Sequence, residues 1–237
     1  MAEWITRISD VRSVYALTTE EQQNNAENCL AILNGQLGWS LAAVAGVLGN
    51  AVGESTINPG ACEGGRGVPR AGSLYFGGGL GIVQWTDYRP YIQEAVHPLL
   101  WYANQVSGSW WDGTLQCNLM NYADDPSITD CGMGQGPRWG WSTVGSPYQQ
   151  SFAEYKAYTG TPEDAASMWL YNFERPASYS SESLRRSQAR YWYDYLQGMS
   201  PEPPSPPPPT PPTPTPSKQS KGMPVWMMCR RPYLGER

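Results

Sequence analysis

Apolar residues recur along the first 199 positions at helical rather than strand spacing. Within residues 20–36, Ala26, Cys29, Leu30 and Leu33 form one stripe, and Thr18 or Thr19 can cap that helix. A second line, Leu41, Val44, Ala45, Leu48 and Val52, follows Ser40, itself a capping residue, and Asn58-Pro59-Gly60 stops it. Residues 91–104 read as helix with a break or restart at Pro98. Residues 147–159 place Pro147 in a first helical turn, and Pro162-Glu163-Asp164 opens another helix that runs to about residue 173. Residues 184–196 form a last helix before Gly198. Strand-like alternation is scarce, with at most a small β-hairpin in residues 74–86, and no repeat of fixed period occurs. The pattern predicts a mainly α domain over residues 1–199, its helices joined by long Gly-rich loops.

The pattern then changes abruptly. Residues 201–216 read PEPPSPPPPTPPTPTP and hold half of the chain's 22 prolines. Proline fixes φ and lacks an amide donor, so residues 200–217 read as an extended polyproline linker. At ~3.1 Å per residue the run reaches about 50 Å. Beyond it, residues 218–237 form a short tail with five Lys/Arg and the apolar knot Val225-Trp226-Met227-Met228. Such a tail suits a partner protein, a membrane surface or a disordered end.

Composition sharpens this in three ways. The chain has 11 Trp and 15 Tyr against 3 Phe. Rings with a polar edge suit sugar clefts, but they also suit wet cores and interfaces. The formal net charge of −5 gives no support to a nucleic-acid partner. The opening Met-Ala-Glu-Trp-Ile lacks a basic region followed by an apolar core, so no secretory signal is expected. Five cysteines without a C-x-x-C pair, and His97 as the only histidine, argue against a zinc site, and no cofactor is implied. Cys117 and Cys131 flank an Asn/Asp/Gly-rich stretch, where a bridge and buried free thiols are both open.

The candidate chemistry lies in residues 49–85, which contain GNAVGESTINPGACE and GGGLGIVQWT. Val44, Val47, Ala51 and Glu54 share one helical line, so the Glu54 carboxyl is expected at the edge of the core and at a helix C-terminus. Burial and the negative end of the helix dipole both favour its protonated form. A protonated carboxyl at neutral pH is what cleavage of a glycosidic bond requires. Gly49 and Gly53 allow a ligand or a backbone to come close. With no His or Lys partner in sequence, Ser55 is expected to bond locally and hold the helix end rather than attack.

Glu54-Ser55, Asn58-Pro59 and Gly81-Ile82-Val83-Gln84 resemble the lysozyme superfamily, especially lytic transglycosylases and goose-type lysozymes. The fuller set adds G-N-x-x-x-E-S-x-I-N-P-G, Glu63, G-L-G-I-V-Q-W-T and Phe173-Glu174-Arg175-Pro176. That set is similar to the phage tail lysins, the lysozyme domains of tail-tip and tail-knob proteins, over about residues 17–198. The resemblance implies a lysozyme-like helical domain that cuts bacterial peptidoglycan between N-acetylmuramic acid and N-acetylglucosamine. It implies Glu54 as general acid/base and Gln84 on the loop opposite, bonding sugar, orienting the acid or tying the loop. Trp85 stacks on a sugar or packs in the core. Glu174 and Arg175 are expected in structural contacts. No second catalytic carboxylate stands out; Glu63 and Asp87 are the nearest candidates, either as substrate-binding or water-activating groups or as loop braces. Without one, the muramic acid 6-hydroxyl can attack and leave an anhydro product.

The insertion at residues 105–146, with Trp110-Trp111 and Trp139-Gly140-Trp141, extends a glycan groove or meets other particle proteins. The resulting picture is a muramidase carried on a phage tail or released from the producing cell, with residues 218–237 attaching it to other tail proteins. Two rivals belong to other classes: a structural tail or adhesin protein without turnover, and a glycan-binding module.

Overall fold

The computed structural model describes residues 1–86, 96–134 and 136–199. The linker at 200–217, the tail at 218–237, Asp87 and the start of the helix expected from residue 91 lie outside the described residues. The described chain is mainly helical. A short α1 (Arg12–Tyr15) precedes α2 (Thr19–Leu33) and α3 (Leu41–Ser55). Then come α4 (Pro98–Gln105), α5 (Gly113–Met120) and α6 (Pro126–Thr129). The domain closes with α7 (Phe152–Lys156), α8 (Pro162–Trp169), a π-helical segment (Leu170–Glu174) and α9 (Glu182–Leu196).

Local chemistry accounts for the starts of the long helices. Thr18 caps α2 in a capping box, its hydroxyl accepting from the Glu21 amide while Glu21 accepts from the Thr18 amide. Ser40 caps α3 through the Ala43 amide, and Thr161 caps α8 through Asp164, with Pro162 at the first helical position. The expected stripe Ala26, Cys29, Leu30 and Leu33 is buried.

Helix α3 is the axis of the domain, buried from Ala42 to Ala51 and packed against α8 and α9. Two glycines permit this. A Cβ on Gly46 would lie 2.7 Å from the Ala165 carbonyl carbon, and one on Gly49 would lie 2.5 Å from the Arg185 carbonyl oxygen. Beside α3, Trp39, Phe152, Tyr155 and Trp169 form an edge-on and tilted aromatic cluster, and Trp169 stacks on Phe173 with centroids 4.1 Å apart. Much of the aromatic surplus is therefore core.

Two expectations change. The helix expected over 147–159 begins only at Phe152. Before it, the carbonyls of Ser146, Tyr148 and Gln150 accept from the side chains of Gln149, Asn172 and Trp141, which takes them out of any helical ladder. Ser151 and Glu154 then form the capping box that starts α7. The hairpin expected in 74–86 shrinks to one reciprocal pair, Leu80 with Trp85, around a four-residue turn. Of the two readings left open for Cys117, the buried thiol holds: its sulfur faces Cys29 at 3.8 Å, and Cys62 and Cys131 are buried as well.

The N-terminal segment belongs to the same core. Asn58 accepts from the Arg7 amide and donates to the carbonyls of Arg7 and Tyr15. Asn25 does the same for Ile5, accepting from its amide and donating to its carbonyl. Thus the Asn58-Pro59-Gly60 turn clamps a neighbouring extended segment as well as ending the helix region.

Candidate functional site

Helix α3 ends abruptly. Thr56 (φ 56°) and Ile57 (φ 60°) adopt left-handed backbone, a costly state for two β-branched residues. Surrounding contacts hold them there: the Thr56 hydroxyl accepts from the Leu17 amide at 2.9 Å, and Ile57 is fully buried. Ser55 donates to the Ile82 carbonyl at 2.7 Å and to Ala51, one turn back. It thereby ties the end of α3 to the loop that carries Gln84.

The break sets Glu54 on the wall of a cavity of about 450 Å³. Facing groups are Glu63, Gln84 and Trp85 from one side, and Trp139, Gly140 and the segment Phe173-Glu174-Arg175-Pro176 from the other. Of the sequence candidates, the structure brings Glu54, Glu63, Gln84 and Trp85 to this one cavity. Gln84 spends its amide hydrogens on backbone, donating to the Gly81 carbonyl of its own loop at 2.9 Å and to the Ala61 carbonyl of the preceding segment at 3.3 Å. Trp85 is packed into the core. Glu63 accepts from the Gly79 amide at 2.9 Å and lies 3.8 Å from Arg66, so it braces the Gly-rich loop at the cavity rim. His97, buried beneath, bonds the Gly78 and Trp85 carbonyls through Nε2 and fixes the same loop from below.

Glu54 has a partner that spacing along the chain did not reveal. Arg185 on α9 bonds its carboxylate directly, and reaches Asn50 Oδ1 at 3.0 Å and Ser181 Oγ at 3.1 Å. Asn50, one turn before Glu54, is in turn held by its own bonds to the Gly46 and Ala166 carbonyls. This explains G-N-x-x-x-E-S as a unit. Gly49 lets α9 approach, Asn50 orients the guanidinium, and Glu54 receives it. No residue near Glu54 in sequence announces this guanidinium.

Glu174, on the cavity wall, has its titration displaced upward. Burial first, and the charge of Glu54 second, push it up to about 8, against the opposing effects of Arg185 and of a hydrogen bond from Trp169 Nε1 at 3.0 Å. The π-helical segment delivers it there. The Arg175 amide donates to the Leu170 carbonyl five residues back, and the chain then turns left-handed at φ 46°. The Asn172 carbonyl, freed by the widened turn, accepts from the Ser142 amide and from the Arg175 side chain. Arg175, lowered to about 10 chiefly by burial, still carries its charge at neutral pH. The Phe173-Glu174-Arg175-Pro176 motif thus does make structural contacts, and it also lines the cavity. Of the insertion, Trp139 reaches the cavity while Trp110 is buried; Trp111 is exposed in a separate hollow.

Morphogenesis protein 1 of Bacillus phage B103 is similar: 27% identical over 182 residues, covering 77% of this chain and 42% of that protein. The match spans less than half of that relative's length. The family described as phage tail lysozyme matches residues 24–196, from α2 through α9. With that match running through both the helical core and the cavity it encloses, the chain belongs to the phage tail lysozyme family.

Proposed function

We propose that the chain cleaves the glycan strands of bacterial peptidoglycan as an N-acetylmuramidase, and that cleavage depends on the Glu54 carboxyl. The observation that carries this reading is the position of Glu54. It stands at the broken end of a buried helix, on a cavity it shares with two further carboxyls, Glu63 and Glu174, and two aromatic walls. Paired carboxyls flanking one cavity are what acid and base roles at a glycosidic bond require. Membership in a phage tail family, and a relative named for morphogenesis, support a site of action on the virion tail, where other tail proteins are its partners. Among the described residues, no helix is long and apolar enough to cross a membrane.

The test is incubation of the purified protein with isolated peptidoglycan, beside Glu54→Gln, with released fragments read by mass spectrometry. Muropeptides from the parent and none from the variant are expected. Reducing ends identify hydrolysis, and 1,6-anhydro ends identify a lytic transglycosylase. Equal release by Glu54→Gln means that another residue carries the chemistry. No release from several wall types favours a structural tail protein that has kept the fold.

A further inference from the structure

The insertion helps to form a second concave site, which shares no wall residue with the first. This hollow, of about 430 Å³, lies between residues 68–74 of the Gly-rich loop and the α4–α5 connection at residues 108–111. Leu74, Leu100 and Ala103 give it an apolar side, and Asn104 and Ser109 give it exposed hydrogen-bonding groups. Trp111 lines it and is 41% exposed, while its neighbour Trp110 is buried and meets it edge-on, with centroids 5.6 Å apart. The fully buried Gln116 donates to the Trp110 carbonyl at 2.7 Å, and Asp112, next after Trp111, caps α5. The exposed indole is therefore built into the wall rather than trailing from a loop. Arg70 is the one charged residue lining the hollow among the described residues. Two carboxyls flank its walls in sequence, and both are spent on backbone: Asp10 accepts from the Gly67 amide, and Asp112 from the amides of Thr114 and Leu115.

We propose that this hollow is a second peptidoglycan-binding site, where Trp111 stacks on an N-acetylated sugar ring and Arg70 receives a carboxylate of the attached peptide. The proposal rests on the glycan-cleavage reading above. The hollow has the volume of a site that encloses a small ligand. An indole offers a flat apolar face to the C–H groups of a sugar, and polar neighbours such as Asn104 and Ser109 suit its hydroxyl and amide groups. Charge decides where the peptide goes. The first cavity sets Glu54, Glu63 and Glu174 against one lining cation, Arg175, whereas the hollow carries a cation alone. An acidic peptide is better matched to the hollow. The fold also couples the two sites. Glu63 and Gly79 meet at the first cavity, each amide bonded to the other residue, and the loop between them supplies residues 68–74 of the hollow. Gln116 makes a second link, accepting from the Ile82 amide at 2.8 Å while it holds Trp110. A glycan strand repeats one unit many times, so a strand held at the hollow raises the local concentration of its other bonds at the cavity.

Binding and turnover on the full chain test this separately. For binding, the protein carrying Glu54→Gln is labelled with fluorotryptophan and followed by ¹⁹F NMR; the resonance missing from a Trp111→Ala sample belongs to Trp111. Two soluble probes are titrated in: a purified disaccharide-tetrapeptide of peptidoglycan, and chitotetraose, which has the N-acetylated sugar but no carboxylate. Both are expected to shift the Trp111 signal saturably. Arg70→Gln is expected to weaken the peptide-bearing probe by about tenfold and to leave chitotetraose unchanged. A Trp111 signal that neither probe moves overturns the site. One that moves with protein concentration alone marks a contact between copies and overturns the glycan assignment. Equal binding of the peptide-bearing probe with and without Arg70 overturns the role of that cation. The second measurement is cleavage of isolated sacculi by the protein with Glu54 intact. Trp111→Ala is expected to raise KM by about tenfold with kcat kept, the mark of lost uniform binding. Tyr191→Ala removes a ring of similar exposure on α9 and is expected to leave both constants unchanged. An unchanged KM in Trp111→Ala overturns the part of the hollow in cleavage. A parent that shifts Trp111 on binding yet cleaves nothing overturns the cleavage reading and leaves the binding site standing.

Discussion

At the residue scale, the ion pair between Glu54 and Arg185 is unlike the others on this surface. Its side chains are 24% and 10% exposed, against 25% and 43% for Glu163 and Arg190. Removing one partner of a sheltered pair strands the other charge, whereas exposed pairs contribute about 0–1 kcal/mol. Arg185→Met is therefore expected to lower stability by about 2 kcal/mol or more in urea melts, and Arg190→Met by less than about 1 kcal/mol. Glu174 makes a second residue-scale prediction. Its folded pKa lies above the unfolded carboxyl value, so its protonation supports the fold fully below about pH 4.5. That support declines as pH rises and is gone once the folded group ionises near 8. Glu174→Gln cannot ionise, so its melting temperature should gain on the parent's between pH 5 and pH 8, by about 3 °C or more. A constant gap between the two across that range would contradict a buried, late-titrating Glu174. Glu54 could be singled out from its place on an apolar helical line. Arg185 could not, because it lies 131 positions away and only the packing of α3 on α9 brings it there. Glu174 was visible as part of a motif, but its setting depends on Trp169 and Glu54, which no local pattern joins to it.

At the scale of elements, the sequence was most legible where a capping residue and an apolar line coincide. Thr18 and Ser40 cap the helices that their positions suggest, and Pro162 opens α8 as its place in the sequence suggests. It was least legible where side chains compete for backbone carbonyls, as before Ser151. The glycines of α3 show packing overriding propensity. Intrinsic preference favours Gly49→Ala by about 1 kcal/mol. The new methyl, however, would meet the Arg185 carbonyl oxygen at 2.5 Å and the Ala189 amide at 2.7 Å, atoms of backbone that cannot swing aside. Overpacking of this kind costs about 1–3 kcal/mol, so the variant should be destabilised in denaturant melts. It should also push Arg185 away from Glu54. Gly53→Ala is the control, since its Cβ would find only the tip of Arg185, at 4.0 Å.

At the scale of the molecule, the described core closes on itself by Leu196, which is fully buried at the end of α9. A protein ending after Met199 is accordingly expected to melt within about 1 °C of the full chain in calorimetry; a larger drop would mean that the last 38 residues support the fold. The helical class was legible in the periodicity. The cavity was not, because its walls come from five separate stretches of chain. One of those walls hangs on a thin thread. A π-turn is an α-helix with one residue too many. Loss of a single codon within residues 170–174 would let α8 continue as ordinary helix, swinging the downstream chain by about 100°. Glu174 would leave the cavity while α3 and its glycine contacts stood untouched. One deletion would thus strip this wall from the cavity and leave the core intact, and related tail proteins can be sorted by whether that extra residue is still there.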